Sequence, residues 1–371
     1  MIDWHKVRAY FPALEKCVYL NTAGGAPISR QAEGEVKRYV DEIYQCGDTK
    51  WDEWLHRSED VRRRLAAFLK VSANEIAFLP NASVGMNVVA DLLGGEGEVL
   101  TLADEFPSVS LPWLNRSRPV RFLTTEKDGS IDIQALKEEV KPETECLAAS
   151  HVQYRTGFRF DLAALGRLCR SKGLRLAVDG TQSFGAFPID VRQCHIDALV
   201  FSGYKWSMAG YGIAALYVRK EILETRPLPA VGWRSAKAPY ELVNDRLVLS
   251  QDARALELGH PPFPGIFALG GTLTLLEEIG IEAIETRIHE LTEILHARLE
   301  RAGIPIRSTR GREHRSGITM VGVKEPTEIT ARLKEKNVFV SARGDSLRVS
   351  LHFYNNEEDI HRLMHALTDS R

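Results

Sequence analysis

The chain has 371 residues, of which 44% are hydrophobic and 26% charged, the balance of an ordinary globular protein rather than a disordered one. Its 48 basic and 50 acidic residues leave a formal net charge of −2, so neither a nucleic-acid footprint nor a polybasic membrane face is written in the bulk charge. No apolar run reaches the ~18 residues of a membrane span. The first residues, Met1-Ile2-Asp3-Trp4-His5-Lys6, lack a basic stretch followed by an apolar one, so no secretory leader is expected and a cytoplasmic location is. The five cysteines are Cys17, Cys46, Cys146, Cys169 and Cys194, with no C-x-x-C spacing among them. Scattered reduced thiols are expected, not a disulfide framework or a zinc site.

Short apolar runs at 75–79, 98–102, 120–124, 146–151, 174–179, 198–202 and 213–218 predict seven strands. Helical patterns separate most of them. Between 160 and 172, Phe160, Leu162, Leu165, Leu168 and Cys169 fall on one helical face, with Asp161 placed to cap and Gly173 to terminate. Strands alternating with helices predict right-handed crossovers and an α/β fold with a large, mostly parallel, doubly wound sheet. Residues 264–302 then read as two long helices broken near Gly280. An apolar run at 317–323, a helix at 326–336, runs at 338–342 and 347–351, and a helix from about Asn356 to Leu367 complete an α+β region. Asn355 or Asn356 is expected to cap the last helix, with Glu357 and Glu358 in its first turn.

Open parallel sheets bind ligands beyond the carboxyl ends of their strands, so the residues after each run are the candidates. Asp179 ends a strand in Val178-Asp179-Gly180-Thr181-Gln182. Lys205 follows another in Ser202-Gly203-Tyr204-Lys205-Trp206, where desolvation would lower its pKa, as an amine nucleophile toward carbonyls requires. Pro80-Asn81-Ala82-Ser83-Val84-Gly85 opens a helix with small residues, leaving backbone N–H groups for a phosphate. Asp104-Glu105-Phe106-Pro107-Ser108 offers an aromatic face. Each feature alone is ordinary: a solvated lysine, a turn-capping aspartate, a plain helix start, a core phenylalanine. Together they provide a lysine for an aldehyde, an anion for a ring cation, a phosphate cup and a flat apolar surface. These are the needs of pyridoxal 5′-phosphate (PLP).

The order of Ala82-Ser83, Glu105-Phe106, His151-Val152, Val178-Asp179-Gly180-Thr181-Gln182-Ser183 and Ser202-Gly203-Tyr204-Lys205 resembles the class V aminotransferase superfamily. This fold-type I PLP group includes cysteine desulfurases, selenocysteine lyases and isopenicillin N epimerase. The resemblance runs from Tyr19-Leu20-Asn21-Thr22-Ala23 to Leu347-Arg348-Val349-Ser350. It implies a large PLP-binding α/β domain over 22–260 and a small α+β domain from 1–21 plus 261–371. It implies that Lys205 forms the internal aldimine and later shuttles the proton of a quinonoid, and that Asp179 partners the pyridine nitrogen. Gln182 would bond the phenolic oxygen and Phe106 would stack on the ring. Ala82, Ser83, Ser202 and Tyr204 would surround the phosphate. Arg348 would grip the substrate α-carboxylate, a task suited to a bidentate guanidinium. The loop Glu257-Leu258-Gly259-His260-Pro261 would reach the phosphate of a neighbouring subunit, in a homodimer with shared active sites. Tyr154, Arg155 and Trp233 are further pocket candidates, and Arg155 could select an anionic substrate or simply meet solvent.

Desulfurases of this family need a mobile cysteine shortly before the carboxylate-binding arginine, and stack a histidine on the ring. Here that region reads Ser341-Ala342-Arg343-Gly344-Asp345-Ser346, without a thiol, and Phe106 cannot transfer a proton. Both absences argue against persulfide-forming desulfuration. The resemblance, greatest to the desulfurase, lyase and epimerase branch and including Pro112-Trp113, implies a lyase cleaving C–S bonds by β-elimination, with aminotransferase, epimerase and non-catalytic binding module as alternatives. A dinucleotide-binding protein is disfavoured, because Gly94-Gly95-Glu96-Gly97 lacks the G-x-G-x-x-G spacing and precedes a strand.

Overall fold

The computed structural model describes residues 2–368. Helices α1 (Trp4–Ala9) and α2 (Ala13–Lys16) lead into a short strand β1 (Val18–Tyr19). Helices α3 (Arg30–Cys46) and α4 (Trp51–Leu69) precede β2 (Ile76–Leu79), α5 (Ala82–Leu92) and β3 (Glu98–Leu102). Then come α6 (Pro107–Asn115), β4 (Val120–Leu123), α7 (Ile133–Glu138), β5 (Thr144–Ser150), α8 (Leu162–Lys172), β6 (Arg175–Asp179), β7 (Ala198–Ser202), β8 (Ala214–Val218) and α9 (Lys220–Thr225). The remainder is α10 (Phe263–Ile279), α11 (Ile281–Arg301), β9 (Ile318–Gly322), α12 (Pro326–Glu335), β10 (Val338–Phe339), β11 (Ser341–Arg343), β12 (Ser346–Ser350) and α13 (Glu357–Thr368).

The seven runs become one seven-stranded sheet of order β2-β8-β7-β6-β5-β3-β4, in which β8 alone runs antiparallel to its neighbours. Alternate residues of each strand enter different cores. Leu176 and Val178 of β6 join one cluster with Phe184 and Phe201, whereas Ala177 joins another with Met86, Val89 and Val200. Burial on both faces explains why the strands read as continuous apolar runs rather than alternating ones. The predicted caps form. The Asp161 carboxylate accepts from Ala164 N at 3.0 Å, and Gly173 closes α8 at φ 72°. Gly280, at φ 85°, breaks α10 from α11.

The third core packs Leu291, Leu295 and Leu299 of α11 against Val321, Leu347, Val349, Ile360 and Leu363. Here the run at 338–342 departs from a single strand. Val338 and Phe339 pair in parallel with Val18 and Tyr19, and after Val340 the chain turns to pair Ser341–Arg343 antiparallel with β12. One apolar run thus serves two sheets, because an amino-terminal strand supplies a partner that local sequence cannot reveal. Asn356 caps α13, accepting from Asp359 N at 3.0 Å, while Asn355 ties the helix start to Tyr19 O and Asp359. The helices α3 and α4 were not among the expected elements. A Cβ on Gly271 of α10 would meet Gln31 O at 2.4 Å, so α10 lies directly on α3. We keep the division at residue 260 as a proposal, with α10 packed on the larger part; Met1 and residues 369–371 lie outside the described residues.

Candidate active site

The sheet brings the carboxyl ends of β2, β3, β5, β6 and β7 to one edge. Asp179 is the last residue of β6 and Ser202 the last of the adjacent β7. A chain of hydrogen bonds fixes the turns that follow. Thr181 N donates to Asp179 Oδ1 at 2.7 Å, Ser202 N donates to Thr181 Oγ1 at 3.2 Å, and Ala82 N donates to Ser202 Oγ at 3.0 Å. The start of α5 is thereby locked to β7. Asn81 caps that helix, and Ser83 Oγ shares a 2.7 Å hydrogen bond with Ser108 Oγ from the start of α6. The Ala82 N–H is spent on Ser202, but the Ser83 N–H has no partner among the described residues. An N–H at a helix start, flanked by hydroxyls, is a phosphate donor set.

Lys205 is 7% exposed. Burial lowers its pKa to about 8; Asp179 opposes this, and Arg348 and Arg343 add to it. The amine is therefore appreciably neutral close to physiological pH. Its Nζ lies 5.4 Å from the centroid of Phe106 and 5.4 Å from that of Tyr204. Asp179 is pushed up by burial and held down by Thr181 and by Lys205. Trp206 Nε1 donates to Gln182 Oε1 at 2.7 Å, and Gln182 Nε2 donates to Ala23 O at 3.1 Å. That orientation leaves the second N–H of the Gln182 amide available. Tyr204 stacks on Tyr211 with centroids 4.6 Å apart.

Arg348 lies on β12, 1% exposed, and reaches this edge from the third core. Its Nη1 donates to Tyr154 O at 3.0 Å and its Nε to Ser341 Oγ at 3.3 Å. Its buried Nη2 has no partner, and among the described residues no carboxylate pairs with it. Burial and Arg343 push its pKa down to about 10. A guanidinium so placed is incomplete without an anion. Tyr154 sets its ring edge-on to Phe106, centroids 5.3 Å apart.

Other candidates sit differently. Arg155 is paired to Asp104 at 2.8 Å. His260 packs beside Trp51 and Trp233, with centroids at 5.5 and 5.2 Å, and no contact joins it to Lys205. His151 is buried and held neutral, its pKa pushed down to about 3, so it is unsuited to proton transfer. Sequence reading passed over Glu105, whose carboxylate accepts from Ser150 N (2.8 Å), Ser150 Oγ (2.6 Å) and Gln153 Nε2 (3.1 Å). Burial, with Asp179 adding, pushes it up to about 7. It anchors the loop that presents Phe106. An acidic residue just before a strand-end aromatic was the available signal, but its partners lie some 45 residues further on.

These residues fit PLP: a buried amine, a buried carboxylate, a free N–H at a helix start, an aromatic face and an unsatisfied guanidinium. The sequence profile described as Aminotransferase class-V matches residues 18–363. The chain belongs to the class V aminotransferase family. It is a PLP-dependent enzyme. Relatives include "Uncharacterized aminotransferase YcbU" of Bacillus subtilis, 26% identical over 98% of this chain and 96% of that one. A "Probable cysteine desulfurase" of Pyrococcus abyssi is 24% identical over 98% of this chain and 96% of its own. In fold, the apo cysteine desulfurase from Thermococcus onnurineus superposes with a TM-score of 0.91 at 23% identity, covering 100% of this chain and 98% of that one. The cystine C–S lyase C-DES, solved with cysteine persulfide, gives 0.88 at 22% identity, covering 97% and 99%. Among the described residues, no helix of this class V enzyme is long and apolar enough to cross a membrane.

Two predictions arise from the geometry. Arg348→Ala removes a buried, charge-assisted contact, so kcat/KM for α-amino acids should fall about 100-fold, mostly through KM, while simple amines lose little. Steady-state kinetics on matched amino acids and amines checks it. The second concerns stability. In cofactor-free protein the Lys205 pKa is about 8 against an ordinary 10.5. Below about pH 8 the folded and unfolded chains both hold the proton, and folding bears the full cost of burying it, ~3 kcal/mol. Between the two values the unfolded chain binds more protons, so stability rises with pH and the cost fades. Lys205→Met should raise the melting temperature of cofactor-free protein most below pH 8, with the gap closing as pH rises towards 10.5.

Proposed function

We propose that this class V enzyme is a C–S lyase acting by β-elimination on a cysteine-type α-amino acid, without a persulfide-carrying cysteine. The observation that carries this reading is the β11–β12 hairpin. Arg343 pairs with Ser346 across a two-residue turn, Gly344-Asp345, with Gly344 at φ 56°. The stretch leading into Arg348, Ser341-Ala342-Arg343-Gly344-Asp345-Ser346, is this tight hairpin and holds no thiol. The buried thiols Cys169 and Cys194 are pushed up to about 12 and about 11 by burial, far from the thiolate a sulfur carrier needs.

In this reading Arg348 orients the substrate through its α-carboxylate, using the unpartnered Nη2. Lys205 takes the Cα proton on Nζ, whose pKa of about 8 leaves a working fraction of neutral amine near physiological pH. Ser83, Ser202 and Tyr204 hold the phosphate, Phe106 covers the ring, Asp179 keeps a proton on the ring nitrogen and Gln182 donates to the phenolic oxygen. Bound there, the cofactor supplies an electron sink for the pair left at Cα. Phe106 holds no proton, so nothing on that face competes with Lys205. The active form is a homodimer with shared sites in the cytoplasm, and the loop carrying His260 contributes to the partner's phosphate site.

Incubation of holoenzyme with S-substituted cysteines tests the reaction. Pyruvate and ammonia in equal amounts, with no sulfur bound to protein, is the expected result. Amino transfer to an added keto acid without pyruvate would establish the aminotransferase instead.

A further inference from the structure

The surroundings of Lys205 are richer in cations than one α-carboxylate can use. Arg348 and Arg343 both act on Lys205, and Arg155 lies against the β11–β12 turn. The neighbouring carboxylates are committed: Asp179 beside Lys205, Asp104 on Arg155 at 2.8 Å, and Glu105 on Ser150 and Gln153. An incoming α-carboxylate satisfies Arg348. Arg343 is left over. It is exposed, its Nη1 donates only to its own strand, at Ala342 O (2.8 Å), and among the described residues no carboxylate pairs with it. Asp345 of the same hairpin is turned to Arg307 instead. Arg343 lies two residues along β11 from Ser341, on the same face of the strand, and Ser341 Oγ accepts from Arg348 Nε at 3.3 Å. The charge of Arg343 also depresses both Lys205 and Arg348. The hairpin turn also abuts Arg155, whose Nη2 would lie 3.7 Å from a Cβ on Gly344. The tight turn holds Arg343 at the site without a long loop.

We propose that Arg343, seconded by Arg155, forms a second anion subsite, so that the substrate is an α-amino acid whose side chain itself ends in an anionic group. This rests on the reading of Arg348 as the α-carboxylate clamp. Under the C–S lyase reading it specifies a cysteine thioether whose sulfur substituent ends in a carboxylate. Asp104 offsets Arg155, which makes Arg343 the principal contact and Arg155 an additional donor.

Unreactive acids separate the two claims, because without an amino group they bind but do not turn over. Calorimetric titration of holoenzyme with glutarate and with its monoamide, glutaramate, compares a dianion with an isosteric monoanion. Glutarate should bind about tenfold more tightly, with the preference shrinking at high salt. Arg343→Gln should bring the ratio of the two dissociation constants close to one, Arg343→Glu should invert it, and Arg343→Lys should keep most of it. Arg155→Gln should reduce it partly. A ratio near one in the native enzyme, or one unmoved by Arg343→Gln, overturns the proposal, as does failure of both acids to bind. The clamp is judged separately: Arg348→Ala should weaken glutaramate itself, and an unchanged glutaramate affinity would defeat the reading of Arg348 whatever the ratio.

Discussion

Lys205→Ala should abolish turnover, lowering kcat by about ten-thousandfold, the upper range for loss of a positioned general base. The side chain is suited to that role by two opposed influences. Burial favours the neutral amine and brings the pKa down to about 8, while Asp179 keeps it from falling further. The variant should still bind the cofactor, because the start of α5, the Ser202 and Ser83 hydroxyls and the Phe106 face are built by other elements. Borohydride treatment followed by peptide mapping should attach the cofactor to the peptide holding Lys205 in the native enzyme and to none in the variant. A label on another lysine would remove Lys205 from its role.

Asp179→Ala should lower kcat by about 10²–10³-fold, the scale for losing one preorganised electrostatic partner of a developing charge. Its carboxylate is buried at the end of β6 and held by Thr181 N at 2.7 Å, so no reorganisation is needed when charge shifts on the ring. Asp179→Asn keeps the shape and removes the charge, and should be nearly as damaging. The same substitution withdraws the influence that raises Lys205, so the lysine should titrate below about 8. The pH dependence of Lys205 acylation in cofactor-free protein reads that shift directly. A downward displacement supports the pairing, and an unchanged profile would mean that Asp179 does not act on Lys205.

Much of this was legible along the chain because sheet architecture converts local features into spatial ones. Asp179 and Ser202 end apolar runs, Ala82 and Phe106 follow them closely, and parallel strands must deliver such residues to one edge. The capping of α8 by Asp161 and the break at Gly280 were legible for the same reason, since caps and glycine turns act over a few residues. What escaped depended on distant partners. The pairing of Val338 with Val18 and the grip of Glu105 on Ser150 and Gln153 link segments with no local signature of each other. Helices α3 and α4 take their place from α10, two hundred residues away in sequence.

The sequence by itself determined the chemistry on offer: which side chains end which strands, where a phosphate can sit, and that no thiol follows Cys194. Tertiary structure alone decided their condition. It put Lys205 in a site where water is scarce, spent the Ala82 N–H on Ser202, tied Arg155 to Asp104, and left Arg348 Nη2 and Arg343 with no counter-anion among the described residues. The physical reason is that charge state and hydrogen-bond satisfaction depend on burial and on neighbours in space. Those neighbours come from strands and loops that meet only when the sheet closes.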